Sequence, residues 1–139
     1  MKKKLVIYFI FFNFAVCSAY VDSAQKVFDF HTKLALKYFN KGVNAWNKWR
    51  ILTSRSEALL NELKIENKNL DRIDFTRVKF YYTIFRNVKM RKSIFTKTKI
   101  YRSKFIRVDF SFSKFQNTHI DALFYKNCTF YKVDFNKAY

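Results

Sequence analysis

The second half of this chain follows a period of five, which fits neither a helix nor a strand. From Phe75 onward every fifth residue is large and apolar: Phe75, Phe80, Phe85, Met90, Phe95, Ile100, Phe105, Phe110, Phe115, Ile120, Tyr125, Phe130 and Phe135. The position two before each centre is small or β-branched, as at Val78, Thr83, Ser93, Thr98, Ser103, Ser113 and Cys128, with Ile73 and Leu123 oversized. The residue between them is mostly polar, as at Asp74, Lys79, Lys99, Asp109, His119 and Asp134, with Ile84, Ile94 and Phe124 departing from the rule. On an α-helix five residues turn through about 500°, so successive centres wrap around the axis. On a flat strand, residues five apart point to opposite faces. Either arrangement leaves about half of the phenylalanines in water. A chain that turns a corner every five residues removes the conflict: the small residue and the centre both point inward along a short extended side, the residue between points out, and the last two round the corner. A fixed short period of this kind is the mark of a solenoid.

Segments such as Ile73-Asp74-Phe75-Thr76-Arg77, Val108-Asp109-Phe110-Ser111-Phe112 and Val133-Asp134-Phe135-Asn136-Lys137 resemble the pentapeptide-repeat family, whose consensus is roughly Ala-Asp/Asn-Leu/Phe-x-x. The resemblance covers about residues 68 to 137. It differs from the family pattern in carrying Phe rather than Leu at most centres and no Gly at the corners. It implies a mainly β fold, a right-handed quadrilateral β-helix with four repeats per turn. The thirteen repeats then give about three coils, or about 16 Å of stacked strand at the usual strand spacing. Residues 20 apart sit above one another, so Phe75, Phe95, Phe115 and Phe135 form one internal ladder, and Phe85, Phe105 and Tyr125 another.

The first segment reads as an address. Lys2-Lys3-Lys4 is a basic start, Leu5 to Val16 an apolar core, and Cys17-Ser18-Ala19 supplies small residues before Tyr20, the three-part pattern of a secretory signal peptide. Residues 1–19 are therefore expected to direct export to a periplasmic or extracellular space. The alternatives are an uncleaved anchor, for which the apolar run is short, or lipidation at Cys17, for which Val16 is an unusual neighbour. Once Cys17 is removed Cys128 stands alone, so no intramolecular disulfide staples the fold. Residues 20–67 are expected to form a helical cap. Val27, Phe30, Leu34 and Tyr38 recur at helical spacing, Trp46 and Trp49 follow Gly42, and Ser54-x-x-Glu57 reads as a capping box opening a short helix through Leu59, Leu60 and Leu63. The two tryptophans are expected to lid the first coil, because an uncovered strand edge invites aggregation. Residues 68–139 form the β-helix proper.

The formal charge is +18, or +15 without Lys2, Lys3 and Lys4. Such an excess favours anionic partners and says nothing about fold. Part of it is equally explained by a lysine-rich codon bias. Between Arg77 and Arg107 lie eleven Lys or Arg and no Asp or Glu, all at outward or corner positions. Twenty-residue stacking places Arg77 under Lys97, Lys79 under Lys99, Tyr81 under Tyr101 and Tyr82 under Arg102. These eight residues are the candidate surface for an anionic polymer or a membrane headgroup layer, on a rod expected to be basic on all sides. Phe124, Tyr131 and Tyr139 mark the C-terminal coil as a candidate homodimer end. No catalytic, cofactor or metal site is expected. His31 and His119 are isolated, Cys128 sits at an inward position, Gly42 is the one glycine, and Asp74, Asp109 and Asp134 read as solvated carboxylates. The resulting expectation is a non-enzymatic exported scaffold engaging a protein partner, with anion binding as the alternative. Mimicry of DNA toward topoisomerases, known in the family, is not expected of a basic surface.

Overall fold

The computed structural model describes residues 32–53 and 57–139. The expected signal segment at 1–19 with Cys17, the expected helical spacing at Val27 and Phe30, His31, and the expected capping residue Ser54 lie outside the described residues.

Two helices precede a parallel β solenoid of about three turns. Helix α1 runs through residues 32–40 and α2 spans Val43–Leu52. Eight strands follow: β1 Ala58–Asn61, β2 Lys64–Glu66, β3 Val78–Tyr81, β4 Ile84–Lys89, β5 Lys99–Tyr101, β6 Lys104–Asp109, β7 His119–Asp121 and β8 Phe124–Lys126. They form two parallel four-stranded sheets, β1-β3-β5-β7 on a first face and β2-β4-β6-β8 on a second. Every pairing joins residues 20 apart, as in Phe80 with Ile100 and Phe85 with Phe105. Bridges Asn69–Lys89 and Asp109–Thr129 define a third face, and Asp74–Ile94, Ile94–Lys114 and Lys114–Asp134 a fourth. The tube is four-sided, as the five-residue period requires.

The solenoid starts earlier than the sequence pattern suggested. The expected helix through Leu59, Leu60 and Leu63 is instead strand β1 and the turn after it, so the helical cap ends at α2 rather than reaching residue 67. Leu60, Ile65 and Leu70 occupy the same register as Phe75, all three buried, and Leu60 pairs with Phe80. Stacking on the coil above outweighs the local helix propensity of a leucine-rich segment.

Inside the tube the rings form continuous columns. Phe75, Phe95, Phe115 and Phe135 follow one another at centroid distances of 5.4, 4.4 and 5.3 Å, and Phe85 lies 5.0 Å from Phe105. Edge-to-face contacts tie the columns together, for example Phe75 to Phe80 at 5.0 Å and Phe105 to Phe110 at 5.1 Å. Each buried ring contributes about 2–3 kcal/mol of transfer free energy.

The small inward position has a second role. Its hydroxyl donates to the carbonyl of a centre 23 residues earlier: Thr83 to Leu60 at 3.0 Å, Thr98 to Phe75 at 2.7 Å, Ser113 to Met90 at 2.7 Å and Thr118 to Phe95 at 2.6 Å. Buried Ser and Thr are therefore satisfied polar groups as well as space-savers.

The corners use a conformation that the sequence did not advertise. Sixteen non-glycine residues, one every five from Glu62 to Lys137, have φ between 44° and 63°. This left-handed region costs an L-residue about 1–2 kcal/mol. Asn67, Asn87, Asn117 and Asn127 tolerate it best, whereas Lys, Arg, Tyr82 and Phe112 are held there by the stacks on either side. Several of these turns close through a hydrogen bond from the next repeat to a centre carbonyl, as in Val78 to Phe75 and Thr98 to Phe95.

The two helices cover the first coil. Trp46 meets Phe75 at 5.7 Å, Phe39 meets Trp46 edge-on at 5.7 Å, and Tyr38 stacks on Trp49 at 5.4 Å. The α2 side chains also replace a missing strand. Trp46 Nε1 donates to the Asp74 carbonyl at 2.6 Å, Asn47 Oδ1 accepts from the Asp74 N–H at 2.9 Å, Asn47 Nδ2 donates to the Arg72 carbonyl at 2.9 Å, and Arg50 donates to the Thr76 carbonyl at 2.7 Å. Within the tube the equivalent groups bond to a neighbouring coil, as Ile94 N–H does to the Ile73 carbonyl. A lid made of apolar rings alone would leave those backbone groups without partners.

The corner strain gives a stability test. Lys97 is exposed with φ 58°. Lys97→Gly is expected to raise the unfolding free energy by up to about 1 kcal/mol, the relief of the left-handed backbone exceeding the added freedom of the unfolded chain. Lys97→Val is expected to lower it by at least about 1 kcal/mol, since a β-branched residue fits that region worst. Chemical denaturation of the three proteins checks the order.

Candidate functional site

The tube has no open side, because the centres and small positions of the inner coils fill its axis. Among the described residues no group of three or more His, Cys, Asp or Glu is placed to hold a metal ion. His119 points outward on the first face, 5.4 Å from Tyr101 and 4.9 Å from Tyr139. Cys128 sits at a half-buried inward position with its thiol 3.4 Å from the Phe105 carbonyl, in the column that Val88 and Val108 occupy in the preceding coils. No helix among the described residues is long and apolar enough to cross a membrane.

The outward carboxylates are structural rather than simply solvated. Asp74 Oδ1 accepts from the Thr76 N–H at 2.8 Å, Asp109 Oδ1 from Ser111 at 2.9 Å, and Asp134 Oδ1 from Asn136 at 2.9 Å. Each side chain closes a turn over the first residue of its corner, which is why Asp suits this slot.

The eight predicted surface residues do come together, on the first face and its two bounding corners. Lys79 pairs with Lys99 and Tyr81 with Tyr101 in the strand register. The two tyrosine rings stack at 4.8 Å and 7°, and Arg102 donates to the Tyr82 hydroxyl at 3.3 Å. Arg77 and Lys97 occupy successive turns of one corner, with Arg77 N–H bonded to the Thr96 carbonyl at 3.0 Å. Their charge, however, is partly answered. Glu57, just before β1, forms ion pairs with both Lys79 and Lys99, the latter at 3.7 Å. The hydrogen bond from Lys79 is the main reason that the Glu57 carboxyl is held below its usual range, with burial opposing and Lys99 assisting. Lys79 is raised in turn, first by the same bond. These pairs therefore persist throughout the neutral range and yield only in acid. Glu62 and Asp121 add negative charge on the same side.

The other faces differ, so the rod is not uniformly basic. The second face carries Lys64, Arg86, Lys104, Arg107 and Lys126 against one carboxylate, Glu66, which lies 3.6 Å from Arg86. On the third face Asp71 grips Arg91 at 2.6 Å. Burial pushes the Asp71 carboxyl up, but its bonds from the Arg91 side chain and backbone outweigh this and hold it low. A cavity of about 280 Å³ lined by Asp71, Arg72, Arg91, Lys92 and Phe112 lies beside that pair.

The C-terminal end is a second feature. A cavity of about 510 Å³ opens there, lined by Phe105, Phe110, Phe115, Ile120, Ala122, Leu123, Tyr125, Phe130 and Phe135. Tyr125 and Phe135, inward in register, are 62% and 44% exposed. The three predicted end residues are not gathered at this mouth. Phe124 faces out from the second face, Tyr131 packs edge-on against Phe112 at 5.4 Å, and Tyr139 lies beside His119. Tyr139 instead continues the coil, its N–H bonded to the Thr118 carbonyl at 3.0 Å and its carbonyl accepting from Ile120 at 2.8 Å.

Comparison with known proteins follows the same lines. Residues 58–96 match the family profile of pentapeptide repeats, in eight copies. A pentapeptide repeat protein from the Arabidopsis thaliana thylakoid lumen is similar in structure at 17% identity, over 57% of this chain and 62% of that one, with a TM-score of 0.32. The pentapeptide repeat protein Rfr23 from the cyanobacterium Cyanothece 51142 is similar at 9% identity, over 63% of this chain and 92% of that one, with a TM-score of 0.16. This chain thus spans less than two thirds of the length of the Arabidopsis protein. No curated protein matches its sequence. The profile match begins at Ala58, the residue where β1 begins, and the five-residue corners continue in the same register to Lys137; the solenoid is built of pentapeptide repeats.

Proposed function

We propose that this chain is a non-enzymatic, exported scaffold that works by presenting surfaces to other macromolecules. The observation that carries this reading is the packed axis: the inner centres Phe80, Phe85, Phe95 and Phe105 are 0–1% exposed, and the larger cavity lies at the C-terminal end, lined by apolar and aromatic side chains. Such a cavity offers contact area rather than proton transfer or nucleophilic chemistry. Export rests on the three-part pattern of residues 1–19.

The open end supports self-association. The outer edge of β8 carries no neighbouring strand, that of β7 is met by the Tyr139 backbone, and the mouth between them is apolar. Edges of this kind pair readily with a second copy, and a two-fold axis would bring identical mouths together. Light scattering at micromolar concentration is expected to give a dimer, and Tyr125→Asp with Phe135→Asp a monomer of unchanged β content. A monomeric parent protein would end this part of the reading.

A second reading, docking on anionic surfaces, is favoured by the imbalance between faces. Lys64, Lys104, Arg107 and Lys126 form no ion pair among the described residues. Retention on heparin that falls steeply with salt is expected. Glu57→Gln is expected to strengthen it by releasing Lys79 and Lys99, at a stability cost below about 1 kcal/mol because the pairs are exposed. Absence of retention at physiological salt would leave the scaffold reading without this surface.

A further inference from the structure

The second face combines charge with apolar side chains in a pattern absent from the others. Two outward columns run up it. One reads Lys64, Ile84, Lys104, Phe124 and the next Glu66, Arg86, Ile106, Lys126. From β4 onward each coil pairs one cation with one apolar residue and the two exchange columns at each step, so cations and apolar groups form a checkerboard. Arg107 borders it at the corner, where its guanidinium donates to Asn87 Oδ1. Ile84 and Ile106 are half-buried, and Phe124 is 50% exposed at the end of the array. The sheet beneath is four strands deep, so these side chains stand on a rigid, fairly flat support about 14 Å along the axis.

We infer that this face docks on an anionic lipid bilayer surface, with Lys64, Lys104, Arg107 and Lys126 at the headgroup phosphates and Ile84, Ile106 and Phe124 at the acyl boundary. The inference rests on the anionic-docking reading above and commits it to one face and one partner. A headgroup layer is flat, negative and apolar just below, which is the combination this face complements. A polyanion in water offers nothing to Ile84 and Ile106, and gains only from charge. The first face, which sequence alone singled out, is excluded as the main contact, because Glu57 holds Lys79 and Lys99 and its tyrosines stack on one another.

The test is co-sedimentation of the full chain with vesicles of equal parts phosphatidylglycerol and phosphatidylcholine, and with phosphatidylcholine alone, at about 0.15 M salt. Binding is expected only with the anionic vesicles. Lys104→Ser with Lys126→Ser is expected to weaken it about 25-fold, at about fivefold per cation near such a surface. The matched first-face variant, Lys79→Ser with Lys99→Ser, is expected to change it less than threefold. Phe124→Ser is expected to weaken binding several-fold, and Phe124→Trp to show a blue-shifted emission on anionic vesicles. Near-parental circular dichroism in each variant separates lost contact from lost fold. No vesicle binding with heparin retention intact would overturn the lipid inference and spare anionic docking; loss of both would remove both. Equal loss in the two charge variants would overturn the choice of face. An inert Phe124→Ser with no emission shift would overturn bilayer contact in favour of a soluble polyanion.

Discussion

Ring stacked on ring at a spacing of twenty residues is the interaction on which the rest of this molecule depends. The contact from Phe95 to Phe115, 4.4 Å between centroids and nearly parallel, repeats in kind along the axis. With the mixed column Leu60, Phe80, Ile100 and Ile120 of the first face, it fixes the register of the strand pairs and holds sixteen ordinary residues in a left-handed turn conformation. Backbone hydrogen bonding follows from that register, since a slip of one residue would turn the rings outward and the lysines in. With Cys128 as the one free cysteine among the described residues, cohesion comes from packing and from the hydroxyl bonds of the small inward positions.

A stack of this kind has two ends, and this chain treats them differently. At the N-terminal end α2 supplies both apolar cover and hydrogen-bonding groups, with Trp46, Asn47 and Arg50 standing where a preceding coil would pair. Burial lowers the pKa of the Arg50 guanidinium, with the Asp74 charge opposing; arginine is not deprotonated in proteins, so it remains a cation at the lid. At the other end Tyr125, Phe130 and Phe135 form an uncovered mouth.

The solenoid was legible in the sequence because a large inward ring every five residues fits no simpler structure. The register also predicted the Tyr81–Tyr101 stack and the Tyr82–Arg102 contact. The start of the solenoid was harder to read, because Leu60, Ile65 and Leu70 suit a helix as well as a coil, and only the rings above them decide the matter. Glu57 was read as a helix cap, yet it sits below two lysines more than twenty residues away, a relation that no local pattern displays. Asp74 and Asp109 looked like surface charges because turn closure by a side chain leaves no periodic trace beyond the residue type itself. The basic character was visible as a total. Its division between a first face whose strand lysines are paired with Glu57 and a second face with one carboxylate among its cations required knowing which carboxylates the fold brings near which lysines.

This is a rigid tube with helical cover over part of its first coil, an apolar cavity at its C-terminal coil and one cationic face that also bears Ile84, Ile106 and Phe124. Its geometry depends wholly on the twenty-residue stacking step, and that step can be tested by removing whole and partial coils. Deleting residues 98–117 joins Lys97 to Thr118 and keeps every remaining residue in register. The account predicts a folded, cooperatively melting β protein of lower thermal stability. Deleting residues 98–115, two fewer, breaks the register and should abolish cooperative unfolding by circular dichroism. Equal behaviour of the two deletions, whether both folded or both unfolded, would contradict the stacking register at the centre of this structure.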